Sequence, residues 1–350
     1  METRSGTTLR TLSRALGLSH TTVSMALRGI GRVSPATIAR VRVAARQAGY
    51  RCNPLAAILM SELRRSRTGI FRGVLAAVDV VEPERRDPHG SFHAQLTEGA
   101  RARAVELGFI LETFVVDRTR LTVSRLDSIL KSRGIRGVVV LPSWNPPDWS
   151  GLDWSHYAGV YADYVIERPS LHCVCCNHYR SMRAVLAQLF ARGYRRPGLY
   201  LETRRDERTQ NRFSSAFRTF QETQPGVEPV PMLLVPQHSK KDFLAWFHRY
   251  RPDVVLSHFT DVIDWMEDCG VHVPETGGFV SLNWLYRTRP CAGLDHQPKE
   301  TGTRAVELLI AQLQRDERGV PKWATTTTVP ARLVEGPTIR KAKTGRKPRA

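Results

Sequence analysis

Short apolar runs that alternate with amphipathic stretches set the tightest limit on what this chain can fold into. "FRGVLAAVDV" (71–80), "FILETFVV" (109–116) and "IRGVVVLP" (135–142) have strand length and are rich in Val, Ile and Phe. Between them, "FHAQLTEGARARAVELG" (92–108) and "TVSRLDSILKSRG" (122–134) place apolar residues at helical spacing. "HYAGVYADY" (156–164) predicts another strand. Strands that alternate with helices imply a mostly parallel sheet with helices on both faces. A second series is expected to start at "LHCVCCNHY" (171–179). It runs through helix 180–192, strand 196–202, helix 208–222, strand 231–236, helix 240–250, strand 253–258, helix 261–269 and strand 277–284. "PKETGTRAVELLIAQLQR" (298–315) ends it as an amphipathic helix. Two halves of similar texture predict two α/β lobes with a cleft.

The head reads differently. In "TLSRALGLSHTTVSMALRG" (11–29), Leu9, Leu12, Ala15 and Leu16 predict a helix that Gly17 ends. Ser19 is a helix N-cap residue for a second helix running to about Arg28, with Val23, Ala26 and Leu27 inward. Ser34-Pro35 is a cap followed by a first-turn proline, which opens a third helix to about Ala48. Its inward face is Ile38, Val41, Ala45 and Ala48. Helix, short glycine-containing turn, helix and a third helix make a helix-turn-helix unit. Such a unit lays its second helix in the DNA major groove. Asn53-Pro54 starts one more short helix, with too little core to be stable alone.

Charge sharpens this division. The 350 residues carry a net charge of +19. Residues 1–69 hold twelve Arg and two Glu, and residues 338–350 hold six Lys or Arg and no acid. A near-neutral body with a basic head and tail points to a polyanion partner. The bland alternative is solvated surface charge. No apolar run reaches transmembrane length, and "METRSGTTLR" has no secretory h-region, so a cytoplasmic protein is expected. Six cysteines (Cys52, Cys173, Cys175, Cys176, Cys269 and Cys291) in so long a chain do not suggest a disulfide scaffold.

The order "GLSHTTVS", "RVSPAT", "AGYRCNPLA", after an opening Thr-Leu, resembles the head of the lactose-repressor (LacI/GalR) family of transcription regulators. "CVCCNHYRSMRAV", "FARGYRRPGLY", "VHVPETGGFVSLN" and "HQPKETGTRAVELL" extend the likeness along the body. The resemblance implies an all-α helix-turn-helix head and an α/β, periplasmic-binding-protein-like body of two Rossmann-like lobes. It also implies that the last helix returns to the first lobe. In the head it assigns major-groove contacts to Ser19, His20, Thr21, Thr22, Ser24, Met25 and Arg28. Where the family commonly has arginine or another polar residue, this chain has Met25, which cannot read guanine but can touch a thymine methyl. The implied hinge helix carries Asn53, Pro54, Ala56 and Leu59, with Leu59 as a minor-groove wedge. Phosphate contacts fall to Thr8, Arg10, Arg32, Ser34, Thr37 and Arg51.

In open α/β folds, ligands bind outside the carboxyl ends of strands. That rule selects Phe92, His93, Trp144, Asp261, Asn283 and His296 for an effector, and the resemblance adds Arg212. Asn283 stands where the family usually has aspartate, which argues against a typical sugar. The expected boundaries are 1–52 for the head, 53–69 for the hinge, 70–337 for the effector and dimerisation domain, and 338–350 for a basic disordered tail. The expected partners are a pseudo-palindromic duplex, a small effector (a carbohydrate) and a second copy of the chain. No catalytic motif and no cofactor motif is found. "HCVCCNH" (172–178) invites a zinc reading, but strand neighbours point to opposite faces, so no metal is expected there. The rival readings are a regulator without an effector and a solute-binding protein or enzyme on the same body.

Overall fold

The computed structural model describes residues 9–28, 33–48, 73–82, 91–117, 119–145, 148–163 and 168–342. The described residues fall into two compact units, those within 1–72 with Gln312–Glu317 and those within 73–311 and 318–350.

In the first unit, α1 (Leu9–Leu16), α2 (His20–Arg28) and α3 (Pro35–Gln47) surround a small core of Leu12, Val23, Ala26, Val41 and Ala45. Gly17 takes φ +65, which lets the chain leave α1 in the left-handed region. The Ser19 hydroxyl accepts from the Thr22 N–H at 3.0 Å, and the Ser34 hydroxyl accepts from the Thr37 N–H at 3.2 Å. Each satisfies a donor that the helix start leaves open. The Arg40 guanidinium donates to the Leu16 carbonyl at 2.9 Å, which ties α3 to the end of α1. Two expected core positions are exposed instead. Ala15 lies off the stripe formed by Leu12, Ser13 and Leu16, and Ala48 sits beyond α3 as its C-cap.

The second unit holds two six-stranded sheets. β1 (Gly73–Val80), β2 (Phe109–Val116), β3 (Gly137–Val140), β4 (Ala158–Tyr161), β5 (His172–Cys176) and β11 (Thr326–Val329) form the first, in the order β11-β5-β4-β3-β1-β2, all parallel. β6 (Pro197–Glu202), β7 (Leu233–Val235), β8 (Val254–Ser257), β9 (Gly278–Ser281), β10 (Ala292–Asp295) and β12 (Arg332–Val334) form the second, ordered β12-β10-β9-β8-β6-β7. Only β12 in that sheet runs antiparallel to its neighbour. The covering helices are α4 (Ser91–Glu106), α5 (Val123–Ser132), α6 (His178–Ala191), α7 (Thr203–Arg208), α8 (Arg212–Thr223), α9 (Lys240–Tyr250), α10 (Val262–Asp268) and α11 (Pro298–Arg315).

Period-two alternation divides the second-lobe core between the sheet's faces. Leu199, Leu201, Val254, Leu256 and Val280 pack on one side with Phe213, Phe217 and Phe220. Tyr200, Val255 and Phe279 pack on the other with Phe243, Trp246 and Phe247. Fully buried strands read as continuous apolar runs, as "DVVLSH" does.

The chain passes between lobes three times: from β5 into α6, from β10 into α11, and from β11 to β12. The second passage brings α11 onto α4 of the first lobe, as the resemblance implied. A Cβ on Gly99 would run into the Lys299 backbone, and one on Gly302 into the Leu96 carbonyl. The two helices therefore touch backbone to backbone.

Several expectations need correction. "LHCVCCNHY" does not open the second lobe, because β5 pairs with β4 and β11 in the first sheet. The expected helix 208–222 begins only at Arg212, because Gln210 and Asn211 take φ 55 and 54, and a separate short helix, α7, ends at Arg208. The short strands β10, β11 and β12 lie outside the expected set. Thr338 and Ile339, placed at the start of the tail, are buried in the second lobe. There the Thr338 hydroxyl accepts from the Ala292 N–H at 2.9 Å and donates to the Phe279 carbonyl at 2.8 Å. Residues 343–350 lie outside the described residues.

Candidate functional site

Strand order locates the site. Each sheet reverses direction once, at β1 between β2 and β3 and at β6 between β7 and β8. Crevices open outside the carboxyl ends of strands at such points. In the first lobe these ends lead to Glu82, Ser143, Trp144 and Asp163. In the second they lead to α7, His258, Asn283 and His296.

Polar contacts join the two sets. The Arg208 guanidinium in α7 donates to the Ser143 carbonyl at 2.7 and 3.1 Å and to the Asp163 carboxylate at 2.6 Å. Asp163 is buried, so this is a charge-assisted bond in a low-dielectric setting. Arg204 donates to Asn145 Oδ1 at 2.8 Å. The Glu82 carboxylate accepts from the Trp144 and Asn145 N–H groups, each at 2.8 Å, and fixes the loop after β3. The Trp144 ring lies 5.5, 5.3 and 5.8 Å from the guanidinium carbons of Arg204, Arg205 and Arg208. A ring face attracts cations at such distances.

Deeper in, three histidines gather around Phe213. His178 meets Phe213 edge-on at 4.9 Å and His296 at 4.9 Å, and His258 meets Phe213 at 5.5 Å. Burial holds the His178 and His258 rings well below the usual histidine range, and neighbouring cations push the same way. Burial lowers His296 to about 4. All three are neutral near pH 7. Ser143 Oγ, His258 Nδ1, Asn283 Oδ1 and His296 Nε2 are buried without a hydrogen-bond partner among the described residues. An unsatisfied buried polar atom costs about 1–3 kcal/mol.

The sequence-selected residues divide accordingly. Trp144, Asn283 and His296 stand at strand ends as expected. Phe92 and His93 open α4, and His93 Nε2 lies 2.7 Å from the Pro142 carbonyl oxygen. Arg212 is the first residue of α8 and donates to Gln210 Oε1 at 2.8 Å. The Asp261 carboxylate meets His238 Nε2 at 2.8 Å, while that ring stacks on Phe259 and Trp265. Arg208, Asp163, His178 and His258 were not selected. Asp163 and His258 follow strands and are within reach of the same rule; Arg208 is the first residue of the expected helix 208–222 and follows no strand.

In the head, Ser19 and Thr22 hydroxyls lie 2.7 Å apart, as part of the α2 cap. Ser34 and Thr37 repeat the pair at 2.8 Å. Met25, expected to face outward, is half-buried next to the core residue Ala26. The backbones of Arg10, His20, Thr21, Ser24 and Arg28 lie in α1 and α2, and their side chains lie outside the described residues. So do Thr8, Arg32, Arg51, Asn53, Pro54, Ala56 and Leu59.

Comparison with known proteins meets the same architecture. Residues 186–339 match the family described as periplasmic binding protein-like domain. The HTH-type transcriptional regulator DegA of Bacillus subtilis (strain 168) is 29% identical over 133 residues, 38% of this chain and 35% of that protein. The maltose regulon regulatory protein MalI of Escherichia coli (strain K12) is 29% identical over 140 residues, 40% of this chain and 37% of that protein. The chain thus spans little more than a third of the length of the curated relatives it matches. A crystal structure of the lac repressor dimer bound to operator and the anti-inducer ONPF shares the fold at a TM-score of 0.51 and 15% identity, covering 95% of this chain and 98% of that one.

A helix-turn-helix head followed by a two-lobed periplasmic-binding-protein-like body defines the class. The matched domain and the solved structure place the body in the periplasmic-binding-protein-like fold.

Proposed function

We propose that this protein is a sequence-specific DNA-binding transcription regulator, a repressor, controlled by a small carbohydrate effector. The observation that carries the reading is the helix pair α1–α2: no Asp or Glu occurs between Glu2 and Glu62, so nothing acidic opposes a phosphate backbone there. The names of the relatives support it, since both are regulatory proteins and one serves a maltose regulon. Arg10, Arg32 and Arg51, with Thr8, Ser34 and Thr37, hold phosphates. Ser19, His20, Thr21, Thr22, Ser24, Met25 and Arg28 meet base edges. Asn53, Pro54, Ala56 and Leu59 form the hinge, with Leu59 kinking the centre of the site. Two copies bind one pseudo-palindromic operator, because a two-fold dimer matches a two-fold duplex. The working compartment is the cytoplasm, and no reaction is catalysed.

The effector sits between the lobes. Sugar hydroxyls both donate and accept, which matches Ser143 Oγ, Asn283 Oδ1 and His258 Nδ1. The Trp144 ring offers an apolar face. Phe92, His93 and Arg212 border the same strand ends. Binding there re-sets the Arg208 contacts to Ser143 and Asp163, and the lobe shift reaches the head through residues near 70.

Selection of bound duplexes from a random pool tests the reading. One pseudo-palindromic motif is expected, and its release by a member of a sugar panel is expected to follow. Recovery of no motif would sink the regulator reading; a motif that no sugar releases would leave the head reading and remove the carbohydrate.

A further inference from the structure

The geometry points to a binding site for a borderline-soft divalent cation such as Zn(II), formed by Cys176, His178 and His296 at the crossover between the lobes. One ligand atom from each residue lies within 4.8 Å of the other two, and all three side chains are buried. The two imidazole rings stand 4.9 Å apart, nearly perpendicular at 87°. Two imidazoles on one tetrahedral zinc, each about 2 Å away through nitrogen, have ring centres roughly 5 Å apart.

His296 carries the second observation. Its ring hydrogen-bonds the Leu282 carbonyl, while Nε2 is buried and has no partner among the described residues. A bond to a carbonyl fixes the N–H on one nitrogen and leaves the lone pair on the other. Metal-binding histidines use this same arrangement. The Cys176 thiol then adds the soft donor that selects zinc-like ions over magnesium or calcium.

Strand alternation explains why only one of the three clustered cysteines takes part. Cys173 and Cys175 face the first-lobe core, so Cys176 points the other way. The short step to His178, the first residue of α6, keeps the second ligand on the same crossover. The third comes from the passage between β10 and α11, far away in sequence, which is why cysteine spacing could not reveal the set. An ion there would fasten two of the three passages between lobes. Three protein ligands leave one tetrahedral position for water or an incoming donor atom. The site is read from the body's fold and does not rest on the DNA-binding proposal, so the failure of either leaves the other standing.

Cobalt(II) titration of the reduced, chelator-treated full-length protein tests it. One equivalent is expected to bind, with the visible bands of a tetrahedral site and a near-ultraviolet thiolate-to-cobalt charge-transfer band, and Zn(II) should displace it. Cys176→Ser is expected to abolish the charge-transfer band, and Cys269→Ser to leave it intact. His296→Gln should weaken cobalt binding by at least the roughly 10- to 100-fold that loss of an outer-shell partner alone produces. If Cys176→Ser does not fold, as judged by circular dichroism, Cys176→Ala replaces it. Absence of saturable cobalt binding, or a charge-transfer band that survives loss of Cys176, would overturn the assignment.

Discussion

The first lobe presents carbonyls and carboxylates to the cleft: Ser143, Asp163, Glu82 and the Pro142 oxygen near His93. The second presents cations and rings: Arg204, Arg205 and Arg208 on α7, then His178, His258, His296 and Phe213 behind them. Both lobes share one strand order, apart from the antiparallel β12. The shared order fixes where a ligand can lie. The unequal chemistry gives the cleft a sense, with acceptors on one wall and donors on the other. Arg208 bridges the two walls through Ser143 and Asp163.

The asymmetry is broken most strongly by acid. His178, His258 and His296 are neutral in the fold, with pKa values below the unfolded value near 6.5. Their stability contribution is therefore complete above about pH 6.5 and is lost as pH falls toward 4, because only the unfolded chain then takes up the protons. The slope reaches about 4 kcal/mol per pH unit if all three respond. Urea midpoints at pH 7.5 and 5 check this in metal-free protein; an unchanged midpoint would contradict the neutral cluster.

Phe213→Ala removes the ring that the histidines share and is expected to cost about 4 kcal/mol. The urea transition of the second lobe should move, with the first lobe following only through the shared cleft. Gly302→Val applies the complementary insult to the first lobe. Its side chain has no space against the Leu96 carbonyl, so α4 and α11 must separate, at about 3 kcal/mol. A tolerated valine would show that the helices do not touch through backbone.

Arg208→Ala leaves Asp163 buried without its guanidinium and should cost about 2 kcal/mol, the pair being partly exposed on the arginine side. Adding Asp163→Asn to that variant should recover part of the loss, which distinguishes a stranded charge from lost packing. Ser34→Ala is the mildest change. It removes the α3 cap at about 1 kcal/mol, and the body's transition should not move.

Much of this was legible in the sequence because burial and local caps write themselves into residue type. "GVVVLP", "DVVLSH" and the Ser19 and Ser34 caps fall where their patterns predict. What escaped depends on distant pairing. β11 reads "TTTV": its β-branched residues suit a strand, but it is exposed along most of its length and offers no apolar run, and its place is set by its hydrogen bonds to β5. The break at Gln210 and Asn211 lacks glycine, the usual sign of a left-handed turn. Trp144, Asn283 and His296 could be named from strand ends. Arg208 could not, since its value comes from a partner on the other lobe. The pairing of Asp261 with His238, 23 residues away, could not be read from its strand-end position.

The most direct test of the central reading is the affinity of the full-length protein for its selected duplex against a scrambled duplex of the same length. Both are measured near physiological salt, where phosphate contacts alone bind weakly. A sequence-reading head predicts a preference of at least about 1,000-fold for the selected duplex. Equal affinity for the two would contradict it and reduce the basic head to a general polyanion surface.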